Sequence, residues 1–247
     1  MPFCYEHPRP AVTVDCVVFG VHLANPKHPL KVLLVKRADE PFKGDWALPG
    51  GHVHTRDFDD DQGESLEAAA YRELEEETAV KVAYLEQLYT FGEPGRDPRG
   101  RYVSVAYFAL VQAADYDIVA GSDAAEAQWM DVDSVLEYPM VAFDHDNIFR
   151  MALTRLQSKL RYTPIGENLL PSKFTLAQLQ ALYEAILMPD KPLDRRNFRR
   201  AILATGILKK VGESQNRSQP GPAASLYRFD KKAYERAKAQ TGFRFEV

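Results

Sequence analysis

The run Arg72-Glu73-Leu74-Glu75-Glu76-Glu77 constrains this chain more than any other stretch. It closes a helical pattern over Glu64–Thr78, and at about 100° per residue Glu73, Glu76 and Glu77 fall within roughly a 100° arc. Leu66, Ala69 and Ala70 mark the inward face. The phase puts Glu73 and Glu77 on that side, with Glu67, Tyr71 and Glu75 pointing away. Carboxylates gathered on a buried side repel one another and need a compensating cation. Oxygen-only ligands of this kind suit Mg²⁺ or Mn²⁺. The spacing therefore predicts a metal site rather than a solvated charged face.

Around this helix the pattern is strand-rich with segregated helices, so α+β is expected rather than a doubly wound parallel sheet. Apolar runs mark strands at Val12–Phe19, Val32–Lys36, Tyr84–Tyr89 and Tyr102–Val111, and a second long helix runs from about His145 to Leu160. Pro164, Gly166 and Pro171 break the pattern between Tyr162 and Lys173. This divides the chain into a first domain at 1–161, a linker at 162–173 and a second domain at 174–247. In the second, Thr175–Met188 is an amphipathic helix stopped by Pro189, with Leu176, Leu179, Leu182, Tyr183 and Ile186 on one face. Another helix starts at an Asp194 N-cap and ends at Gly206. Ile207–Val211 and Leu226–Phe229 read as short strands around a mobile Gly/Ser/Pro/Asn-rich loop, Gly212–Ala224.

The net charge of −4 conceals a partition. Residues 1–150 carry 13 Lys+Arg against 27 Asp+Glu, a net of −14, and residues 151–247 carry 18 against 8, a net of +10. Two modules with different partners are expected. No apolar run approaches the roughly 18 residues that span a membrane. Met1–Pro10 resembles neither a secretory signal nor a transit helix. Cys4 and Cys16 are too few for a disulfide framework. A cytoplasmic protein is expected.

Glu64, seven intervening residues and then Arg72-Glu73-Leu74-x-Glu76-Glu77, preceded by Gly50-Gly51, resembles the Nudix box. The resemblance implies an α/β/α sandwich around a mixed sheet and metal-assisted attack of water on a diphosphate. Under it Glu73, Glu76 and Glu77 hold metal and supply the base, while Arg72 orients a glutamate. Glu64 would be structural, closing a capping box with Asp61. Two departures stand out. The spacer from Gly51 to Glu64 is longer than usual, and its acidic loop Asp57–Asp61 reads as a surface insertion, or alternatively as a metal-attracting lip. Ala79 stands where the box has glycine, and because Ala resists positive φ an altered turn is expected. The loop Arg96-Asp97-Pro98-Arg99-Gly100 reads as a polar hairpin turn. It also resembles a loop of Nudix proteins specific for ADP-ribose, which makes Arg96 and Arg99 candidates for phosphate or ribose contacts. Arg37, Gly50 and Gly51 are further ligand candidates; Trp46 reads as core or as a base-stacking platform.

On the helix from Asp194, Phe198, Ala201 and Ile202 form an apolar face and Arg196, Arg199 and Arg200 the opposite one. With a helix before it and a hairpin carrying Lys209, Lys210 and Arg217 after it, this describes a winged helix-turn-helix. Arg195, Arg196, Arg199, Arg200 and the wing are candidate phosphate contacts, and Asn197 a candidate adenine reader. Together with Asp144-His145, Phe174-Thr175-Leu176, Leu193-Asp194 and Leu226-Tyr227-Arg228-Phe229, these motifs resemble the NrtR family, Nudix-related transcriptional regulators of NAD metabolism. The resemblance covers roughly Thr13 to Asp230. It implies a homodimer whose Nudix domain senses ADP-ribose and whose winged helix binds double-stranded operator DNA near NAD biosynthesis and salvage genes. One departure is Gly221-Pro222-Ala223-Ala224, which lacks the wing arginine of the family.

A repressor that also hydrolyses its effector to AMP and ribose 5-phosphate is the expected function. The alternatives are an ADP-ribose pyrophosphatase without DNA binding and a Nudix-type regulator of sugar catabolism. The charge partition favours a DNA-binding second module, and the complete glutamate set favours retained chemistry.

Overall fold

The computed structural model describes residues 6–22, 29–55, 63–116, 118, 120, 124–140, 142–163, 166, 169–213 and 223–241. The acidic loop Asp57–Asp61, the capping partner Asp61 and the wing residue Arg217 lie outside them. Two compact units divide the chain, the first made of Met1–Gly20 and Leu30–Leu153 and the second of Val21–Pro29 and Thr154–Val247.

The first unit is built on β1 (Ala11–Val21), β2 (Leu30–Arg37), β3 (Trp46–Ala47), β4 (Gly50–His52), β5 (Glu86–Phe91), β6 (Tyr102–Gln112) and β7 (Ala124–Asp131). The sheet runs β3-β2-β1-β6-β5, with β4 added on β1 and β7 on β2. Its central strands are continuous apolar runs because both faces are covered: Val14 and Cys16–Phe19 in β1 and Val32–Leu34 in β2 are fully buried. Alternation along β1 assigns the two faces. Val14, Cys16 and Val18 pack with Ala69, Ala70 and Leu74 of α1 (Leu66–Thr78). Phe19, of opposite parity, meets Phe149 of α3 (His145–Lys159), their ring centroids 6.1 Å apart. Helices on both faces give the expected sandwich. A short helix, α2 (Val132–Glu137), follows β7.

Ser65, not Asp61, caps α1, accepting from the Ala68 amide. The inward face is set by Ala69, Ala70, Leu74 and Thr78, whereas Leu66 in the first turn is exposed. Tyr71, expected to point away, packs against the core and its hydroxyl accepts the Leu85 amide at 3.0 Å. The turn after α1 is not altered by Ala79. Its φ of 59° and ψ of 13° place it in the left-handed cap, and its N–H donates to the Glu75 carbonyl. The chain reversal needs that conformation whatever residue stands there, so alanine accepts a strain that glycine would not carry.

The second unit contains β8 (Phe174–Thr175), α4 (Leu176–Leu187), α5 (Arg195–Ala204), β9 (Leu208–Glu213), β10 (Ser225–Phe229) and α6 (Lys231–Thr241). Thr175 and Gln178 form a reciprocal capping box at the start of α4. Leu179, Leu182, Tyr183 and Ile186 are buried as the spacing predicts, while Leu176 is half-buried. Phe198 and Ile202 anchor α5, with Phe198 meeting Tyr183 edge-on at 5.5 Å. The Glu184 carboxylate accepts the Leu193 amide at 2.8 Å, and Gln180 donates to the Leu193 carbonyl at 2.8 Å, so α4 fixes the turn that launches α5. The three-stranded antiparallel sheet runs β8-β10-β9. Gly166, Leu169 and Leu170, within the segment read as a linker, are buried. A Cβ on Gly166 would lie 3.1 to 3.3 Å from Phe229, Leu182 and Leu179, a tight fit that those side chains would have to yield to.

Candidate functional site

A cavity of about 510 Å³ opens in the first unit, within the range of small-ligand pockets. One wall is the α1 carboxylates. Arg72 governs their arrangement: its Nε and Nη2 donate to Glu64 at 3.0 and 2.6 Å, and its Nη1 meets Glu73 at 2.9 Å and Glu76 at 3.0 Å. Glu64 also accepts the His54 amide at 2.8 Å, so it is a structural anchor, as expected, but for Arg72 rather than for a capping box. These bonds, Arg72 first, hold the Glu64 carboxyl below its usual range. Burial pushes the Glu73 carboxyl up, against the pull of Arg72. Glu77 accepts the Gly50 amide at 2.9 Å. A side chain on Gly51 would collide with the Glu73 carboxylate, and one on Gly50 with the Val14 carbonyl. The Gly-Gly pair is there for close backbone approach.

The α1 carboxylates are hard oxygen ligands beside one cavity. Among the described residues, however, no three His, Cys, Asp or Glu side chains converge to hold an ion. The guanidinium of Arg72 supplies the positive charge between Glu73 and Glu76, and the Glu76 side chain is 58% exposed.

The lining includes Asp15, Arg96 and His145, members of a buried polar cluster whose pairing sequence reasoning missed. Arg96, whose side chain is only 5% exposed, grips Asp144 in a bidentate pair and lies 3.5 Å from Asp15. Both carboxylates neutralise it, so Arg96 ties them together where it lines the cavity. Asp15 also accepts from the Ser104 hydroxyl and lies 3.3 Å from His145 Nε2. Burial pushes the Asp15 carboxyl up, but His145, Ser104 and Arg96 outweigh it and hold it below the usual range. His145 Nδ1 accepts the Leu48 amide at 2.9 Å, which fixes the tautomer that carries its proton on Nε2, toward Asp15. In the sequence Asp15 stands out as a charge inside an apolar strand, and Arg96 and Asp144-His145 are singled out, but nothing there joins them into one cluster.

Another part of the cavity lining is cationic. Phe143, with φ of 53°, lies against two guanidiniums, Arg37 at 4.9 Å and Arg99 at 5.5 Å from its centroid, and packs edge-on against Phe42, φ 67°, at 4.9 Å. Bulky aromatics in the left-handed region store strain, a recurrent mark of binding sites. Asp97 holds Arg99 through Nε at 3.0 Å and Nη2 at 2.7 Å, and Tyr102 lies under it at 4.8 Å. Arg37 donates to the carbonyls of Pro41 and Asp39 and has no carboxylate partner among the described residues. Burial, then the neighbouring charge of Arg99, push the Arg37 guanidinium below its usual pKa. Two cations that close favour an anion between them. Trp46 is half-buried beneath Lys36, 5.8 Å from its ring, and does not line the cavity.

In the second unit Arg195, Arg196, Asn197, Arg199 and Arg200 are all exposed on α5, and Lys209 and Lys210 on β9. None of the four arginines is ion-paired among the described residues; the Asp194 cap bonds backbone amides of Arg196 and Asn197. Asn197 Oδ1 accepts from Arg200 Nη2 at 3.0 Å.

Comparison with known proteins agrees with this geometry. Residues 13–151 match the NUDIX domain and residues 166–229 the NrtR DNA-binding winged helix domain. The chain is 36% identical to the ADPR responsive transcriptional repressor NtrR of Acinetobacter baylyi, over 93% of this chain and 86% of that one. The crystal structure of Shewanella oneidensis NrtR complexed with a 27mer DNA is similar with a TM-score of 0.67 and 35% identity, covering 95% of this chain and 97% of that one. The NUDIX domain of the same protein complexed with ADP ribose aligns with a TM-score of 0.52 and 38% identity, over 61% of this chain and 90% of that one.

Proposed function

We propose, from the premise that this chain belongs to the NrtR family of Nudix-domain transcriptional regulators, that it is a DNA-binding repressor of NAD biosynthesis or salvage genes that senses ADP-ribose. One observation carries the sensing half: a single cavity is lined both by Arg37 and Arg99, which lie against Phe143, and by the α1 carboxylates. A ligand with a diphosphate between two sugars matches that polarity, its phosphates answering the guanidiniums and its ribose hydroxyls the carboxylates. A neutral or singly phosphorylated sugar would leave one cation unanswered, which disfavours the sugar-catabolism reading. The exposed arginines of α5, on a module of net charge +10, supply phosphate contacts to double-stranded DNA. A homodimer matches the two half-sites such operators present, and DNA binding implies the cytoplasm. Among the described residues no helix is long and apolar enough to cross a membrane.

A second reading, hydrolysis of the same ligand, is favoured by the intact set Glu73, Glu76 and Glu77. These residues would hold Mg²⁺ or Mn²⁺, which supplies polarisation of the diphosphate and an activated water. Arg72 already binds Glu73 and Glu76, so sensing rests on Arg37 and Arg99 and does not require turnover. Release from DNA requires ADP-ribose to bind the DNA-free form more tightly, since equal affinity shifts nothing.

Fluorescence anisotropy of a labelled NAD-synthesis promoter duplex, titrated with the full chain and then with ADP-ribose, tests both halves. Binding at low salt followed by release is expected. No binding at low salt overturns the DNA reading, and binding indifferent to ADP-ribose overturns the sensor reading. Phosphate release from ADP-ribose in the presence of a phosphatase, with each metal, tests the second reading.

A further inference from the structure

The exposed side of α5 contains two kinds of arginine. With Phe198 and Ile202 buried, helical phase at about 100° per residue puts Arg196 and Arg200, four apart, at the centre of the outward face. Arg199 falls on its flank, and Arg195, exposed in the first turn, falls nearer the buried side. Leu203 and Ala204, both exposed, extend the central stripe by one turn beyond Arg200. Apolar groups on that stripe suit the floor of a groove, where base edges and thymine methyls lie, better than the phosphate rim.

Asn197 and Arg200 are joined on this face by the 3.0 Å bond from Nη2 to Oδ1. Donor accounting then separates their roles. Adenine is read by an amide that offers its carbonyl and its NH₂ together. The carbonyl of Asn197 spends one of its two lone pairs on Arg200, so the pair ties the amide to its neighbour. Guanine is read by two parallel N–H donors aimed at O6 and N7. Arg200 has five N–H groups and gives one to Asn197, which leaves the fork supplied. An exposed arginine loses rotamer freedom on binding, and a neighbour that holds it beforehand lowers that loss. The Asp194 cap does not compete, because its carboxylate accepts backbone amides.

We propose that Arg200 reads guanine in the major groove and that Asn197 is its positioning residue, Arg195 and Arg199 being left to the phosphates. This rests on the DNA-binding reading above. It adds a base identity and a division of labour within α5.

Selection from a library of randomised duplexes by the full chain, at low salt and followed by sequencing, tests it. The wild type is expected to enrich guanine at one position of each half-site. Arg200→Lys keeps the charge but loses the fork, so guanine enrichment there falls about tenfold while total duplex retained changes little. Asn197→Ala lowers the same enrichment several-fold, and Arg199→Ala weakens retention of all sequences alike without moving the preference. Unchanged guanine preference in Arg200→Lys overturns the reader. Unchanged preference in Asn197→Ala alone overturns its positioning role. If the wild type retains no duplex, the DNA-binding reading itself falls. All three substitutions are at exposed positions, and far-ultraviolet circular dichroism checks that α5 is retained.

Discussion

Arg96 and Asp144 form a bidentate pair beside the cavity, Nε to Oδ2 at 3.0 Å and Nη2 to Oδ1 at 2.5 Å. Asp144 immediately precedes α3, so the pair ties the Arg96 loop to the start of a helix that packs on the sheet.

Removing one partner strands the other. Asp144→Ala leaves a buried guanidinium with Asp15 alone at 3.5 Å. A loss of about 3 kcal/mol is expected, read as a lower midpoint in urea denaturation. Arg96→Lys keeps the charge but not the fork and loses part of that amount. A midpoint unchanged in Asp144→Ala would show that the pair holds nothing together.

Ala79 supports the opposite kind of substitution. In the left-handed cap a Cβ is a liability. Ala79→Gly should raise stability by about 0.5 to 1 kcal/mol, the relief exceeding the extra freedom glycine brings to the unfolded chain. A higher thermal midpoint is the readout, and ligand affinity should not change.

Gly51→Ala separates site from fold. The added methyl meets only the mobile end of the Glu73 side chain, so the fold survives and the carboxylate is displaced. Any ADP-ribose hydrolysis should fall at least about tenfold, with DNA binding kept. Turnover equal to the wild type would remove Glu73 from the reaction.

Acid should weaken the first unit through Asp15. Its folded pKa lies below the ordinary carboxylate value, so its contribution is present above about pH 4 and is lost as pH falls through the depressed folded value. Asp15→Asn should therefore lower the urea midpoint at pH 7, with the gap to wild type closing below about pH 4. A gap that widens in acid would contradict the sign.

The regular elements were legible because periodicity reports burial. Strand Val12–Phe19 lies within β1, Tyr102–Val111 matches β6 to one residue, and the helix expected from His145 begins there. The strand expected at Tyr84–Tyr89 is displaced to Glu86–Phe91, because Leu85 and Leu88 are buried whichever pairing is chosen and Tyr84 is exposed. β3, β4 and β8 escaped notice, being two or three residues long and held by ladder bonds to distant strands. β7 carries mostly half-buried or exposed side chains and has little apolar pattern to read.

The run of glutamates with Arg72, the Gly-Gly turn and the arginines of α5 were determined by sequence alone, since helical phase and chain proximity place them. Which of them are free to act was decided only by tertiary structure. Arg96 and Arg99 are three residues apart, yet burial against two carboxylates internalises one, while the other stays 39% exposed beside Phe143. Asp15, Asp144 and His145 become one cluster only after β1, the Arg96 loop and the start of α3 meet. The glutamates, read as a metal site awaiting its ion, already have Arg72 between them. Charge and phase are local properties of a chain; desolvation and partner choice belong to the folded neighbourhood, and they determine what each charge can do.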